Sequence, residues 1–549
     1  MDPAGSTLPE RIAAASARRG GVTFVGTDPA AAVRVPWSDL HLDARRMAVG
    51  LQRRGVGPGQ RVALLGPTSR AIVTAIQATW LCGATVMVLP LPMRLGSLDE
   101  FMAQTRARID TAEVSLVAID DDLAAFVDPS PGDPPIVGLT DLAARSDDLA
   151  PTRPGPDDLA VLQFTSGSTA DPKGVMLSHR QVLANLDGVV EAAAVDLDHD
   201  VIVSWLPLYH DMGLIGLLTI PMITGIDLVL GSPLDFMTAP ARWVEWMSRY
   251  GGTATAGPNF AYALAARALS RSSRLDLAPW RIALNGAELV DPATVRAFVD
   301  AGVPHGLRPG AAFPAFGMAE VAIAGTLPEP GAGLRVDVVD RGALETERHA
   351  RSAPSAAGAR SLVLLGRPIA GLQIRICDPA SGEPLGERDV GELQIRGSSL
   401  SAGYYKHPAA TTAAFDAGWL RTGDLSYLVD GELVVCGRLK DVITVAGRNL
   451  FPEDVERAVA AVEGVRAGNV IAFSVERQAG SPPIVVVAET KESNRSALRG
   501  AVASQVLRSL GVAAEVVLVA PGSLPKTSSG KLQRSLCRSR YLGAELEPA

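Results

Sequence analysis

The sequence predicts an α/β protein. We expect a large N-terminal domain of two parallel-type sheets packed with helices plus a β-rich subdomain, and a small mobile α+β C-terminal domain. Strand-like apolar runs alternate with helical stretches over much of the chain, which is typical of parallel sheets covered by helices. Beyond Gly366 the pattern changes to short strands and turns. The 549 residues also exceed what one hydrophobic core accommodates, so several domains are expected.

Three stretches show the alternation most clearly. Residues 61–91 predict a strand, a helix and a second strand, separated by glycine-containing turns. Residues 251–269 predict a strand followed by a helix that Pro258 starts. Residues 280–299 predict a strand followed by a helix from about Pro292. Ligands of such sheets bind at the carboxyl ends of the strands, so the loops that follow these strands are candidate sites.

The last part of the chain has a different texture. Short strands such as LQIRICD and GELVVCGR indicate the β-rich subdomain, and FPEDVERAVAAVEGV predicts a helix that begins at Pro452 with acidic residues in its first turn. Apolar strands follow that helix. We therefore predict an N-terminal domain over residues 1–437, a hinge over 438–441 and a C-terminal lid domain over 442–549.

Composition narrows the range of partners. The chain is 47% hydrophobic and 20% charged, and its 51 basic and 59 acidic residues give a formal net charge of −8. Nucleic acids and anionic membranes bind net positive surfaces, so neither is expected as a main partner. The four cysteines are scattered without CxxC spacing, which argues against a disulfide framework or a zinc site and fits a reducing compartment.

The chain is predicted to be a soluble, cytoplasmic protein. Its first 21 residues lack the apolar core of a signal peptide. The most apolar window, Gly213–Ser232, is interrupted by Pro221 and Asp227. We therefore expect a buried helix followed by a strand in this window, not a membrane span.

The stretch FTSGSTADPKGVMLSHRQVLANL predicts a phosphate-binding loop. Glycine lets the backbone approach a ligand, while N–H groups, hydroxyls and a lysine supply donors and positive charge for phosphate oxygens. A Ser/Gly-rich surface linker is the alternative. The loop is not a Walker A motif, because GxxxxGK[ST] does not occur in the chain. The candidate phosphate-binding residues are Thr165, Ser166, Gly167, Ser168, Thr169 and Lys173.

This loop resembles the phosphate-loop signature of adenylate-forming enzymes, the superfamily of acyl-CoA ligases, peptide-synthetase adenylation domains and luciferases. Further segments resemble that family's motifs in the same order: Asn285–Glu288, Ala315–Glu320, Gly418–Tyr427, Cys436–Glu456 and Pro525–Arg534. The resemblance runs from about Leu40 to Arg534. It implies that a carboxylate attacks the α-phosphate of ATP, giving an acyl-adenylate and pyrophosphate.

The resemblance also implies roles for single residues. ATP is the implied cofactor and Mg²⁺ the implied metal, held by Glu320. Lys531 would bridge the incoming carboxylate and the α-phosphate, so Lys531 and Glu320 are the predicted catalytic residues. Phe316 stands where most relatives carry a tyrosine against adenine, which keeps a stacking face and loses a hydroxyl. The other implied nucleotide-binding residues are Gly286, Ala287, Glu288, Ala315, Gly317, Met318, Asp424 and Arg438.

Each of these roles has an ordinary structural alternative when it is taken singly. Asp424 could be a turn aspartate, Lys531 a solvated lysine near the C-terminus, and Glu320 a surface carboxylate after a buried run. The occurrence of all the motifs in the family's order favours the functional interpretation.

Two apolar segments resemble those of fatty acyl-AMP ligases, SWLPLYHDMGLIGLL and AGPNFAY. Ala319 resembles them too, since acyl-CoA ligases usually carry threonine there. The apolar content suits a lipid tail, because each buried methylene is worth about 0.8 kcal/mol. For His210, the alternative is a histidine whose hydrogen bonds are satisfied within the core. The predicted acyl-pocket residues are His210, Asp211, Met212, Asn259 and Phe260.

The length of the segment between Glu320 and Gly366 also resembles that of fatty acyl-AMP ligases. Residues 336–362 resemble the insertion of fatty acyl-AMP ligases, which is thought to hinder the pose needed for transfer to coenzyme A. A polar surface loop without a role is the alternative.

The small domain is expected to turn about a hinge at Lys440. By resemblance the acyl acceptor is then the phosphopantetheine thiol of an acyl carrier protein, often attached to a polyketide or peptide synthase.

Three other functions stay open at this point. A fatty acyl-CoA ligase would transfer the acyl group to coenzyme A. A stand-alone amino-acid adenylation domain would use an aspartate near LPLYHDMG, for which Asp211 is a weak candidate. An inactive scaffold that binds AMP or lipid is disfavoured, because Glu320, Asp424, Arg438 and Lys531 are all present.

Overall fold

The structure is a computed structural model in which the described residues are 5–91, 98–125, 127, 129–144, 146, 148–165, 173–273, 275–355, 358–475, 484–527 and 530–546. The strands, in chain order, are β1 (Gly21–Phe24), β2 (Val33–Pro36), β3 (Arg61–Leu65), β4 (Thr85–Val88), β5 (Leu116–Ile119), β6 (Ile136–Gly138), β7 (Leu159–Phe164), β8 (Gly174–Ser178), β9 (Val201–Ser204), β10 (Asp227–Leu230), β11 (Ala254–Gly257), β12 (Ile282–Asn285), β13 (Ala312–Pro314), β14 (Phe316–Gly317), β15 (Ala324–Leu327), β16 (Val336–Asp340), β17 (Ala359–Val363), β18 (Arg367–Pro368), β19 (Leu372–Cys377), β20 (Gly391–Gly397), β21 (Phe415–Asp416), β22 (Trp419–Val429), β23 (Glu432–Arg438), β24 (Ile443–Val445), β25 (Arg448–Leu450), β26 (Val465–Ser474), β27 (Ile484–Thr490) and β28 (Ala514–Val519). The α-helices are α1 (Leu8–Ala15), α2 (Trp37–Gln52), α3 (Arg70–Leu81), α4 (Leu98–Thr111), α5 (Asp121–Ala124), α6 (His179–Ala192), α7 (Ile220–Thr224), α8 (Pro233–Thr238), α9 (Ala241–Arg249), α10 (Asn259–Leu269), α11 (Pro292–Gly302), α12 (Arg341–Thr346), α13 (Pro408–Ala414), α14 (Pro452–Ala460), α15 (Arg495–Leu510) and α16 (Arg534–Leu542).

Two mainly parallel sheets form the framework of the N-terminal part. One has the strand order β13-β12-β11-β9-β10-β1-β2 and the other β6-β5-β3-β4-β7-β8. The edge strands β2 and β8 run antiparallel to their neighbours. The predicted α/β class is confirmed, and so are the three strand–helix stretches, which form β3-α3-β4, β11-α10 and β12-α11.

The apolar window Gly213–Ser232 is buried and contains helix followed by strand, as predicted, with one difference in helix type. A π-helix spans Met212–Thr219 and leads into α7 and β10. A regular α-helix would need an N–H at position 221 to donate to the carbonyl of Leu217, and Pro221 has none. In the wider turn of a π-helix that carbonyl pairs with a residue one position further along the chain. Within the described ranges, no helix combines the length and apolar character needed to cross a membrane.

The β-rich region follows as a sheet of order β19-β20-β22-β21, with β23 paired to β22. Beside it, β16 and β17 pair antiparallel, and α12 lies between these two strands in the chain. These parts share one hydrophobic cluster with the start of the C-terminal part. Its buried members are Val339, Leu344, Ala350, Leu362, Val390, Leu425, Tyr427, Val434, Cys436 and Phe451.

The C-terminal part has a core of its own. The hairpin β24–β25 precedes α14, and the sheet β26-β27-β28 is covered by α14 and α15. Ile443, Val459 and Val502 are fully buried members of that core. The domain limits predicted at residues 437/438 and 441/442 stay predictions. This separate core supports a second unit that starts near them.

Candidate active site

The two predicted nucleotide-binding segments lie side by side at the carboxyl ends of neighbouring strands. β12 and β13 pair in parallel, and the backbone N–H of Ala315 donates to the carbonyl of Asn285 at 2.9 Å. Gly286 permits this approach, because a Cβ there would lie 2.9 Å from the carbonyl oxygen of Ala315. The structure therefore brings Gly286, Ala287 and Glu288 next to the segment that begins at Ala315.

Asn285 is a site residue to which the sequence motifs gave no role of its own. It is buried, and its side-chain nitrogen and oxygen both lack a partner within the described residues. A carboxamide offers one donor group and one acceptor, which complement the amino group and ring nitrogen on an edge of adenine. Its place in the motif Asn285–Glu288 was the available signal, but asparagine at a strand end is also common in ordinary turns.

A tight turn carries the second segment to Glu320. The N–H of Met318 donates to the carbonyl of Ile323 at 2.9 Å. At Gly317 a Cβ would lie 2.0 Å from the same carbonyl oxygen, so only glycine fits. Phe316, which precedes it, is half-buried. Glu320 lies in the short 3₁₀ turn Ala319–Val321.

Glu320 is a buried carboxylate that accepts a hydrogen bond from a tyrosine. The Tyr404 hydroxyl donates to its Oε1 at 2.8 Å. Burial raises the pKa of Glu320 above its ordinary value, the bond from Tyr404 opposes that rise, and the nearby charge of Asp211 adds to it. Sequence reasoning did not find Tyr404, because it lies in none of the recognised motifs.

Asp424 and Arg438 face each other across β22 and β23. They are paired in register, and Arg438 Nε lies 3.1 Å from Asp424 Oδ1. Asp424 is buried while Arg438 remains half-exposed. Burial raises the pKa of Asp424, and the charge of Arg438 opposes that rise. The pair combines acceptor oxygens suited to a ribose diol with a cation that can contact sugar or phosphate.

Lys531 is presented by a tight hairpin loop. The N–H of Thr527 donates to the carbonyl of Lys531 at 2.8 Å, and the N–H of Lys531 donates to the Thr527 hydroxyl at 3.1 Å. Gly530 beside it has φ +86°, a conformation that favours glycine. A Cβ at Gly530 would lie 3.8 Å from Phe260 Cε1, so this loop rests against the N-terminal part.

The charges of three carboxylates of the N-terminal part and of Arg438, in the predicted hinge, act on the Lys531 ammonium. Burial lowers the pKa of Lys531, the charges of Asp211, Glu288 and Asp424 raise it, and Arg438 lowers it. Carboxylates from three separate segments thus oppose the effect of burial on one lysine, but the pKa of Lys531 stays below its ordinary value. The C-terminal loop that carries Lys531 lies next to Phe260 of the N-terminal part.

His210 and Asp211 form a contact at the start of the π-helix. His210 Nδ1 lies 2.6 Å from Asp211 Oδ1, and the N–H of Met212 donates to the same oxygen at 2.7 Å. Burial raises the pKa of Asp211, but His210 and Lys531 outweigh that effect and the pKa is lowered. Asp211 is therefore held as a carboxylate facing the lysine.

The two other predicted acyl-pocket residues have different surroundings. The N–H of Asn259 donates to Glu288 Oε1 at 2.8 Å, and its side-chain amide donates to the carbonyl of Leu289 at 2.9 Å. Asn259 thus braces the first turn of α10 against the loop after β12. Phe260 is 36% exposed and meets Trp205 edge-on, with ring centroids 6.3 Å apart.

The ends of the predicted phosphate loop are closed by β7 and β8. The N–H of Thr165 donates to the carbonyl of Lys173 at 3.0 Å. Lys173 Nζ lies 4.9 Å from the centre of the Tyr404 ring, so the loop starts and ends beside the partner of Glu320. The predictions for Ser166, Gly167, Ser168 and Thr169 lie outside the described residues.

Polar contacts join the C-terminal part to residues 336–362. Arg448 on β25 donates to Glu345 Oε2 on α12 at 2.6 Å, and Glu345 is only 1% exposed. Arg341 donates to the carbonyl of Ser509 at 2.9 Å. The candidate hinge residue Lys440 lies between these parts, in the 3₁₀ turn Leu439–Asp441.

Comparison with known proteins agrees with this geometry. The profile described as "AMP-binding enzyme" matches residues 12–405. The chain belongs to the AMP-binding enzyme family. A second profile, "Disco-interacting protein 2-like, AMP domain", matches residues 440–549. The resemblance to adenylate-forming enzymes is confirmed, and the protein is an adenylate-forming ligase.

Relatives of this AMP-binding enzyme span nearly its whole length. A Mycobacterium tuberculosis protein named as a ligase, Rv1013, is 40% identical over 531 residues, covering 95% of this chain and 97% of its own. The medium-chain-fatty-acid–[acyl-carrier-protein] ligase JamA of Moorena producens is 32% identical, covering 93% and 90%. A solved structure from a study of fatty acyl-adenylate ligases of E. coli and L. pneumophila aligns with a TM-score of 0.91 at 32% identity, covering 98% of each chain.

Proposed function

We propose that this AMP-binding enzyme activates a fatty acid with ATP and passes the acyl group to the phosphopantetheine thiol of an acyl carrier protein. In the first step a carboxylate oxygen bonds to the α-phosphorus, the bond from that phosphorus to the β-phosphate oxygen breaks, and pyrophosphate leaves with the electron pair. In the second step a thiolate attacks the acyl carbon, and AMP leaves. A cytoplasmic location, where ATP is supplied, is part of the proposal.

The observation that carries the proposal is the convergence on Lys531. Two anions must meet in the first step, so a cation is needed where their charge accumulates. Lys531 is buried, and the charges of Asp211, Glu288 and Asp424 favour its charged form. A substrate carboxylate and the α-phosphate would then take over as its partners.

The surrounding residues fit the rest of ATP. The buried, unpaired amide of Asn285 suits the adenine edge, and Phe316 offers a ring face. Asp424 offers oxygens for the ribose hydroxyls, with Arg438 beside it. Thr165 and Lys173 begin and end the loop proposed for the β- and γ-phosphates.

Mg²⁺ fits the same site. This ion prefers oxygen ligands and is usually held by one or two carboxylates together with substrate phosphates. Glu320 supplies a buried carboxylate of which Tyr404 takes one oxygen. The bound ion would supply charge neutralisation on the phosphates.

The contacts at residues 336–362 support a carrier protein rather than coenzyme A. The pairs Arg448–Glu345 and Arg341–Ser509 tie the C-terminal part to the N-terminal part in the pose that docks Lys531. A turn about Lys440 toward the second step has to break contacts of this kind. A carrier protein can offset that cost with a protein–protein interface, which free coenzyme A lacks. The carrier-protein ligase JamA also supports this choice.

The first step is tested by ATP–pyrophosphate exchange. The purified protein with Mg²⁺ and ATP should exchange pyrophosphate with fatty acids and not with amino acids. Asp211, the weak candidate for binding an amino group, already contacts His210. Exchange with amino acids alone would identify an amino-acid adenylation domain. Absence of exchange with every acid would contradict the proposal.

The second step is tested by offering the two thiols separately. Acyl-adenylate formed in place is supplied with coenzyme A or with a phosphopantetheinylated carrier protein, and thioester is measured. We expect transfer to the carrier protein at a rate at least tenfold higher. Equal or faster transfer to coenzyme A would make the protein a fatty acyl-CoA ligase.

A further inference from the structure

Asn185 is a fully buried carboxamide that joins three segments of the chain. Its Oδ1 accepts the N–H of Ala324 at 3.0 Å, and its Nδ2 donates to the carbonyl of Ala324 at 2.8 Å and to the Ser399 hydroxyl at 3.2 Å. The side chain thus pairs with both backbone groups of Ala324, as a neighbouring strand would. Asn185 belongs to the stretch that predicts the phosphate loop, but none of the roles assigned to that stretch includes it.

The segments that Asn185 joins all belong to the candidate active site. Asn185 lies on α6, which begins directly after β8, the strand that follows the proposed phosphate loop. Ala324 follows Glu320 by four residues, and Ser399 precedes Tyr404 by five. The segment of Tyr404 is also bridged to β8. One side chain therefore ties the helix after the phosphate loop to the segments of Glu320 and of its tyrosine partner.

The turn between Glu320 and Ala324 contains a strained residue. Ala322 is fully buried and has φ +74° and ψ −58°, the conformation of a γ-turn with positive φ, which is rare and strained. Such a backbone persists only where its surroundings fix it, and it is concentrated at functional sites. Asn185 fixes the turn on one side. On the other side, the N–H of Ser401 donates to the carbonyl of Glu320 at 2.7 Å.

We propose that Asn185 is a positioning residue that maintains the strained turn at Ala322 and thereby keeps the Glu320 carboxylate at a fixed place relative to Tyr404 and β8. The inference rests on the proposed adenylation step, in which Glu320 and the phosphate loop bind the same Mg²⁺–ATP. Without Asn185 the turn can relax to a less strained backbone, and the carboxylate then moves. A displacement of about 1 Å in a site of this kind can lower the rate about 10²-fold.

The test uses two variants that disturb the turn in different ways. Asn185→Ala removes the hydrogen bonds to Ala324 and Ser399, whereas Ala322→Gly relieves the strain and leaves those bonds in place. Isothermal titration calorimetry measures ATP binding in Mg²⁺ and in EDTA, without fatty acid. We expect the factor by which Mg²⁺ tightens ATP binding to fall at least fivefold in Asn185→Ala and at least threefold in Ala322→Gly. Ala322→Gly should melt within about 2 °C of the wild type, because relief of strain offsets the greater freedom of glycine in the unfolded chain.

Two control variants separate positioning from stability. Thr85→Val removes a buried hydrogen bond of 2.9 Å to the carbonyl of Leu159. Ala194→Gly changes an exposed alanine with φ +46° that lies just beyond the end of α6. Both should keep the wild-type effect of Mg²⁺. In ATP–pyrophosphate exchange, Asn185→Ala should lower kcat at least tenfold and change the KM for the fatty acid less than twofold.

The outcomes distinguish the inference from the proposed function. An unchanged effect of Mg²⁺ in Asn185→Ala and Ala322→Gly overturns the inference and leaves the proposed function standing, and so does an equal loss in Thr85→Val. A wild type that binds ATP equally well with and without Mg²⁺ also overturns it. If Asn185→Ala does not fold, Ala322→Gly decides. If the wild type exchanges with no acid, the proposed function fails, and calorimetry alone then decides the inference.

Discussion

The charged form of Lys531 is favoured by carboxylates that belong to other segments of the chain. Burial alone would favour its neutral form, and Asp211 is the first of the charges that oppose this. In the proposed first step, negative charge accumulates where the substrate carboxylate meets the α-phosphate, and a cation is needed there. We therefore expect Lys531 to act mainly in the first step, since in the second step the charge develops on the acyl carbonyl oxygen and on the leaving AMP.

We expect Lys531→Ala to lower adenylate formation by about 10²–10³-fold, the cost typical of one lost preorganised donor. Pyrophosphate release measures this step. Transfer from added acyl-adenylate should change less than threefold. Lys526→Ala is the matched control, because Lys526 lies in the same loop and donates to Asn469 at 2.8 Å. Equal losses in the two variants would refute the assignment.

Burial raises the pKa of Glu320, and the hydrogen bond from Tyr404 opposes that rise. In Tyr404→Phe the pKa of Glu320 rises further, so its carboxylate forms only at higher pH. We expect the acidic limb of the kcat/KM profile for ATP to move to higher pH. Tyr405→Phe, whose hydroxyl donates to Glu113 instead, should leave the limb in place. A profile that does not move in Tyr404→Phe would exclude this role.

These residues show which parts of the candidate site a motif search can predict and which parts it misses. Asp424, Arg438 and Lys531 were predicted because each lies in a recognised motif, although their roles await experiment. Tyr404 was missed because its partner is 84 residues away and no local pattern marks it. Asn285 was within a motif, but its unpaired amide is visible only when its surroundings are known.

At the scale of elements, α12 and the hairpin β24–β25 are joined by a buried ion pair. Glu345 is fully enclosed, and burial raises its pKa although Arg448 opposes the rise. The two residues are 103 positions apart. Sequence patterns do not reveal such pairs, since each member looks like an ordinary surface charge on an amphipathic segment. The π-helix was hidden for a related reason, because a uniformly apolar run carries no period.

Arg448→Ala leaves Glu345 buried without its partner. We expect the free energy of unfolding to fall by about 3 kcal/mol, the lower end for broken buried pairs, because a third of Arg448 is exposed. Urea denaturation measures the change. The double variant Arg448→Met/Glu345→Leu should lose less than the single one, since it leaves no unpaired charge. A larger loss in the double variant would show that packing, not charge, dominates.

Arg534, at the start of α16, binds three carboxylates. It lies 2.5 Å from Asp441, 3.2 Å from Glu453 and 2.9 Å from Glu456. Burial raises the pKa of Glu456, and Arg534 opposes that rise. The cluster links the helix after Lys531 to Asp441, the last residue of the predicted hinge.

In Arg534→Met the pKa of Glu456 rises further above its unfolded value. A buried carboxyl with a raised pKa destabilises the fold at any pH at which it is charged. The loss of unfolding free energy is therefore absent at pH below about 4.5 and grows as the pH rises toward the raised pKa. We expect the loss of unfolding free energy to be larger at pH 8 than at pH 5. Arg538→Met, which removes a donor to the Ser474 carbonyl, is the control. A loss independent of pH would contradict this account.

At the scale of the whole molecule, the two parts meet in one defined pose. The loop of Lys531 touches Phe260 on one side, and Arg448 binds Glu345 on another. The sequence predicted the fold and the order of the parts, because strand and helix patterns are local. It could not predict which pose is favoured, since that depends on contacts between distant surfaces.

Lys440→Pro should slow the second step at least tenfold and change the first step less than threefold. Proline fixes φ, and position 440 must change its backbone angles if the C-terminal part is to turn there. Pyrophosphate release and thioester formation are measured in parallel. Lys440→Ala, which removes the charge and keeps the backbone free, is the control. Equal slowing of both steps would place the hinge elsewhere.

The shared hydrophobic cluster around Phe451 has a consequence for engineering. Phe451 shares a hydrophobic cluster with Val339, Leu344 and Leu362, so the C-terminal part and the 336–362 segment pack against each other. A chimera that takes only its C-terminal part from a relative would place another protein's residues at positions 448 and 451 against this segment. Chimeras that take both residues 336–362 and the C-terminal part from the same relative should therefore express better than chimeras that take the C-terminal part alone.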